Sequence, residues 1–140
     1  MSFFGKISTR ERYGLRLALK ISGTYKTKTP ISLQQVSNEE KISMKYLEQL
    51  IVPLRKAGWV ESIRGRDGGY LMLADPAKIT LKDLIWLIND EPFVISCLNS
   101  ECVDKCELEK KCSAKKAWKK VQEALEDSMG KIKISELLHK

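Results

Sequence analysis

Histidine is nearly absent from this 140-residue chain: the one copy is His139, the penultimate residue. Ser-His-Asp or Cys-His catalysis would have to run through a terminal position expected to fray, and histidine-rich metal sites are excluded. Long apolar runs are also missing. The longest are a few residues, against the ~20 needed to span a bilayer as a helix, so no membrane partner is expected. The opening Met1-Ser2-Phe3-Phe4-Gly5-Lys6 has neither an apolar core nor a cleavage site, which argues against a secretory signal and for a cytoplasmic chain. No phosphate-binding glycine loop of the Walker or dinucleotide type occurs, and there is no internal repeat or low-complexity segment. Cysteine is missing from most of the chain, since all four copies fall between Cys97 and Cys112.

What is present suits one domain with an appendage. Hydrophobic residues make up 43% of the chain, enough to pack a core. Basic residues outnumber acidic ones by 25 to 18, and the excess is uneven. Residues 1–75 carry 13 Lys and Arg against 7 Asp and Glu, whereas residues 76–140 carry 12 against 11. A polyanionic partner, if there is one, should therefore bind the first half.

Hydrophobic spacing divides the chain into short helices and one hairpin. Ser8-x-x-Glu11 is a capping-box pattern that opens a helix to about Ile21, with Leu15, Ala18 and Leu19 on one face. Ser22-Gly23 ends it, and Thr24 to Pro30 reads as a polar loop carrying Lys26 and Lys28. Ser32 caps a short helix over about Leu33–Asn38. Ser43 caps another, in which Met44, Leu47, Leu50, Ile51 and Leu54 recur at helical spacing as core. Pro53 should kink it or start a new turn, and Gly58 should stop it. Trp59–Arg64 and Tyr70–Ala74 can pair across Gly65-Arg66-Asp67-Gly68-Gly69. Thr80 caps a helix over about Leu81–Asn89. A longer helix from Ser113 to about Ser128 bears the stripe Ala114, Ala117, Trp118, Val121, Leu125 and Met129, and Ile134–Leu138 makes a short last helix.

Two short helices with a tight connection, followed by a two-stranded ribbon, is the outline of a winged helix-turn-helix. The fold class is mainly α with a small β-hairpin wing and a long C-terminal helix. A helix ~10–12 Å across fits the DNA major groove with its N-terminal residues facing base edges. Those residues would be Ser43, Lys45, Tyr46 and Gln49: glutamine can pair with adenine, and lysine can reach guanine or phosphate. Arg64, Gly65 and Arg66 form the hairpin tip, where long cations can reach a minor groove or phosphates. The competing reading is plainer, with Lys45 and Gln49 as ordinary solvated residues and the two arginines as a solubilising tip.

The four cysteines are spaced Cys97-x4-Cys102-x3-Cys106-x5-Cys112. Such clustering in a cytoplasmic chain points to metal or redox chemistry rather than structural disulfides. Thiolates are soft ligands that suit iron–sulfur clusters, with zinc as the alternative metal, and Lys105, Lys110 and Lys111 would offset an anionic cluster. Unligated buried thiols and a metal-free thiol or disulfide switch compete with both. A small thiol redox enzyme is disfavoured by the lack of a substrate-binding fingerprint and of a useful histidine.

Three segments together are distinctive: Ile42-Ser43-x-Lys45-Tyr46-Leu47-Glu48-Gln49-Leu50, then Leu54-Arg55-Lys56-Ala57-Gly58, then Ser62-x-Arg64-Gly65-x-x-Gly68-Gly69-Tyr70-Leu71. They closely resemble bacterial winged-helix regulators of the IscR/NsrR/CymR (Rrf-two) family. Ile7-Ser8-Thr9-Arg10-x-Arg12-Tyr13-x-Leu15-Arg16 looks like that family's first helix, and Thr80-Leu81-x-Asp83-Leu84-Ile85 like the segment after its wing. The resemblance runs from about Lys6 to Leu138. It implies a homodimeric, non-enzymatic transcription factor on a pseudo-palindromic double-stranded operator, with no RNA partner, each long helix crossing its partner's.

By the same resemblance, cluster-bearing members have three cysteines between the post-wing helix and the long helix. The best matches are Cys97, Cys106 and Cys112, with Cys102 able to replace Cys97 if the loop gap is placed differently. The family's fourth ligand is either a histidine three residues after the last cysteine, here Lys115, or an acidic residue of the partner's first helix, here Arg12 with Glu11 beside it. Both positions depart from the pattern. Cys102 is therefore expected to supply the missing ligand, for a 2Fe-2S or a 4Fe-4S cluster alike. The implied organisation is a DNA-binding domain over 1–90, a cysteine loop over 91–112 and a dimerisation helix with tail over 113–140.

Overall fold

The computed structural model describes residues 7–89, 96–98, 106–108 and 110–138. Helix α1 (Thr9–Ser22) starts with the expected box: the Ser8 hydroxyl accepts from the Glu11 amide, and the Glu11 carboxylate accepts from the Ser8 amide. Its fully buried residues are Gly14, Leu17, Ala18, Ile21 and Ser22. Leu15 and Leu19, expected on the buried face with Ala18, are only partly buried against the core. Both faces satisfy the helical period. Contacts with three other elements, α5, α4 and the wing, decide which one goes inside.

The expected loop after α1 contains a further helical turn, α2 (Thr24–Thr27). Its cause is tertiary: the buried Thr24 hydroxyl donates to the Ile21 carbonyl at 2.6 Å and accepts the Met72 amide of the wing at 2.8 Å. Ser32 caps α3 (Leu33–Glu40), which runs two residues beyond the expected end. Ser43 caps α4 (Met44–Lys56), which buries Leu47, Leu50, Ile51 and Leu54 as the spacing predicts. Pro53 lies inside α4 and starts no new turn. It lies close to the C-terminus, where its missing amide costs one hydrogen bond, and its carbonyl still accepts from Ala57 at 3.0 Å. The exit is a Schellman arrangement, with the Trp59 amide on the Leu54 carbonyl and the Gly58 amide on that of Arg55.

The wing is an antiparallel pair, β1 (Val60–Ile63) and β2 (Gly69–Met72), with Val60 opposite Met72 and Ile63 opposite Gly69. Both strands are shorter than the spacing predicts. The far edge of β2 is not open. Ile31 bridges to Tyr70 through two hydrogen bonds of 3.0 and 2.7 Å, and Thr24 takes the Met72 amide. Only glycine fits at 69, because a Cβ there would meet the Ile31 carbonyl oxygen at 2.3 Å.

After the wing, α5 (Leu81–Ile88) is capped by a reciprocal Thr80–Asp83 box. A 3₁₀ turn follows at Ser96–Leu98, and α6 (Ser113–Gly130) extends two residues past the expected end. The chain then returns to its own core. Leu81 donates to Ile132, Ile134 donates to Ile79, and Ile134 is buried beside Leu17, Leu50, Leu84 and Ile88. The last turn, Ile134–Leu137, is 3₁₀ rather than α. None of the helices among the described residues is long and apolar enough to cross a membrane.

Candidate nucleic-acid interface and cysteine segment

Helix α4 presents its N-terminal end to solvent. Ser43, Lys45 and Gln49 are exposed, while Tyr46 is half-buried. The Ser43 hydroxyl accepts from the Tyr46 amide at 3.3 Å and so fixes where the helix begins. The Tyr46 ring stands edge-on to Tyr13 of α1, with centroids 5.9 Å apart, so it serves the packing between α1 and α4. Arg64, Gly65 and Arg66 are exposed at the tip of the hairpin. Gly65 has φ 117°, which a side chain would strain, and its carbonyl accepts from Gly68 at 3.1 Å to close the turn.

A clamp of opposite charges fixes α3 against α1. The Arg16 guanidinium donates from Nε to the Glu40 carboxylate at 2.8 Å and from Nη2 to the Glu40 carbonyl. It also lies over the Tyr13 ring. Lys20 reaches Glu39 at 2.8 Å and Glu40 at 3.5 Å. The Glu39 hydrogen bond raises the Lys20 pKa, and the Lys20 and Gln35 hydrogen bonds lower that of Glu39. Two of the α1 cations, Arg16 and Lys20, are thus neutralised locally. Among the described residues no carboxylate pairs with Lys45, Arg64 or Arg66. Positive charge open to a partner is therefore present on α4 and at the wing tip.

The cysteine segment begins at a fixed point. Arg10 Nε donates to the Ile88 carbonyl at 2.8 Å, and Asn89 Nδ2 donates to Glu11 Oε1. These two contacts bind the end of α5 to the start of α1. Sequence reasoning missed them, because they join residues 78 positions apart. Cys97 and Cys106 are exposed, Cys112 is half-buried, and all three are free thiols. Cys102 lies outside the described residues. Cys112 is the N-cap residue of α6, and its side chain makes no capping hydrogen bond to the first-turn amides. Such a helix end favours negative charge, and thiolates are soft donors, so the donor set fits an iron–sulfur cluster or zinc. Among the described residues no three His, Cys, Asp or Glu side chains converge as a metal site. At the two positions that the resemblance implies for a fourth ligand stand Lys115 and the exposed Arg12, and both carboxylate oxygens of the neighbouring Glu11 accept hydrogen bonds within the chain.

Along α6 the expected stripe is uncovered at its start. Ala114, Ala117 and Trp118 are exposed, Trp118 at 47%, while Val121, Leu125 and Met129 are half-buried. The buried residue of α6 is Gln122, which lies outside that stripe and donates to Glu126 at 3.1 Å. Trp86 of α5, with Lys82 over its ring, is also exposed.

Comparison with known proteins agrees with this arrangement. A family model named Rrf2 and described as "Iron-dependent Transcriptional regulator" matches residues 7–140. The transcriptional regulator CymR of Bacillus subtilis is 33% identical over 94% of this chain and 88% of its own length. IscR of Vibrio vulnificus is 29% identical over 95% of this chain and 77% of its own. Among solved structures, T. potens IscR superposes with a TM-score of 0.77 at 28% identity, covering 98% of this chain and 88% of that one. The oxidized form of Staphylococcus aureus CymR gives 0.75 at 31%, covering 97% and 98%. These relatives are transcriptional regulators. With a helix-turn-helix, a wing and a match over nearly its whole length, this chain belongs to the Rrf2 family of DNA-binding transcriptional regulators.

Proposed function

We propose that the protein is a homodimeric, cytoplasmic regulator whose grip on a double-stranded operator is set by its cysteine segment. Ser43, Lys45, Tyr46 and Gln49 of α4 read or border the major groove, and Arg64, Gly65 and Arg66 bring the wing to the adjacent backbone or minor groove. The observation that carries this reading is the charge distribution. Arg16 and Lys20 of α1 are held by Glu39 and Glu40, whereas Lys45 of α4 and Arg64 and Arg66 of the wing tip are exposed and pair with no carboxylate among the described residues. The second copy covers the exposed Ala114–Ala117–Trp118 face of α6.

Cys97, Cys102, Cys106 and Cys112 hold an iron–sulfur cluster in this proposal, with Cys102 in place of the ligand that Lys115 and Arg12 cannot supply. Such a cluster supplies a redox-active centre when bound. The chain supplies the link to DNA. The cysteine segment leaves α5 at Asn89, which Glu11 ties to α1, and enters α6 at Cys112. A change in how that segment packs shifts α5 and α6 together, and with them the spacing of two recognition helices on two half-sites. A coupling of ~1–3 kcal/mol changes occupancy ~5–150-fold.

The second reading is a cluster-free thiol regulator of the same fold, with zinc as a further possibility for the same sulfurs. It is favoured by the absence of a converged ligand trio among the described residues and by the likeness to CymR, one structure of which is described as the global cysteine regulator of B. subtilis. Iron and acid-labile sulfide analysis of anaerobically purified protein separates the two. Stoichiometric iron and sulfide support the cluster, and a colourless protein holding zinc or nothing supports the alternative.

A further inference from the structure

Five described residues have positive φ, and they fall into two sets. At three of them the chain uses glycine: Gly58, Gly65 and Gly69. At the other two positions it uses lysine, Lys28 and Lys41, both at φ 57°. Each is the C-cap of a helix, with its amide donating back to Thr24 at 2.8 Å and to Ser37 at 2.9 Å respectively. This is the position glycine fills without strain, and a lysine there incurs a conformational cost. No ion pair among the described residues compensates. Both side chains are exposed, no carboxylate among the described residues pairs with either, and Lys28 lies over the Tyr25 ring.

Their places in the chain share a further property. Lys28 lies three residues before Ile31, whose backbone pairs with Tyr70 of the wing. Lys41 lies two residues before Ser43, the cap of α4. Each strained lysine therefore sits beside one of the two elements that face a duplex, at either end of α3. The first helix of a helix-turn-helix crosses the DNA backbone. We infer that Lys28 and Lys41 are phosphate-contacting residues, kept as lysine in a left-handed backbone because the charge is needed at those two points. The inference rests on the DNA-binding reading and extends its docking face beyond α4 and the wing tip.

Phosphate contacts carry no sequence information, so the probe is a labelled random-sequence duplex of about 30 base pairs, titrated between about 50 and 200 mM salt. Four variants of the full chain are compared with wild type: Lys28→Gln and Lys41→Gln, which keep the strain and remove the charge, and Lys28→Gly and Lys41→Gly, which remove both. Each is expected to flatten the log–log salt dependence by about one unit per protomer, with the glycine variants unfolding at the same or higher urea concentration. Stability and binding then move in opposite directions, which loss of fold cannot produce. Wild-type slopes in all four, alongside a flattened slope for Arg64→Ala, would overturn the inference and leave the docking face intact. No salt-dependent binding by the wild-type chain would overturn both.

Discussion

Glu11 and Asn89 are hydrogen-bonded to each other, which ties the first turn of α1 to the C-cap of α5. Glu11 also accepts from the Ser8 amide through its other oxygen, which leaves neither carboxylate oxygen without a partner. Replacing Glu11 with Ala removes a capping box and one of the two links to the end of α5, leaving that of Arg10 to Ile88. It should lower unfolding stability by about 1–2 kcal/mol in urea titrations. Iron content should stay at the wild-type level, since Glu11 is engaged within its own chain. A loss of iron from the folded variant would make it a ligand.

Acid should loosen the clamp between α1 and α3. Glu39 has a lowered pKa, so its contribution is present above the ordinary carboxylate range and is lost as pH falls through its lowered value. Lys20 has a raised pKa, so its contribution is present below the ordinary lysine range and is lost as pH rises through its raised value. The pair therefore acts across neutral pH. Urea midpoints of wild type and Glu39→Gln should differ at pH 7, converge in acid, and differ less in concentrated salt.

Removing a cation from the docking face should weaken operator binding through its salt dependence. Lys45→Ala, Arg64→Ala and Arg66→Ala are each expected to lower the slope by about one unit for every phosphate the variant no longer neutralises. Arg16→Ala serves as the contrast, because its charge is already held by Glu40. It should cost stability and leave the slope unchanged. Equal slopes for all four variants would misplace the docking face.

Cys102→Ser tests the proposed ligand set. The variant should lose or greatly destabilise the visible absorption of the reconstituted protein and retain less iron under chelator challenge. An unchanged spectrum and an unchanged rate of iron loss would leave Cys97, Cys106 and Cys112 as the thiol ligands.

The parts legible from sequence were those with local causes. Ser8 with Glu11, Ser32, Ser43 and Thr80 each signal a helix start within four residues, and each is the observed cap. The stripe Leu47, Leu50, Ile51 and Leu54 identifies the buried face of α4 because that helix has one apolar side. Helix α1 has two, and only its neighbours select Leu17 and Ile21 over Leu15 and Leu19. Likewise α2 depends on Thr24 meeting Met72, a pairing across 48 positions with no local signature. In the candidate site, the exposure of Lys45, Gln49, Arg64 and Arg66 followed from the pattern. The ties from Arg10 and Glu11 to the end of α5 did not, since a polar residue at a helix end gives no sign of its distant partner.

The most direct test of the account is a footprint on genomic fragments, made with one preparation in two forms: loaded anaerobically with iron and sulfide, and stripped of both. The account predicts a protected stretch with two half-sites, at protein concentrations that differ ~5–150-fold between the forms. Protection at equal concentrations in both forms would contradict control by the cysteines, and no protection in either would contradict the account as a whole.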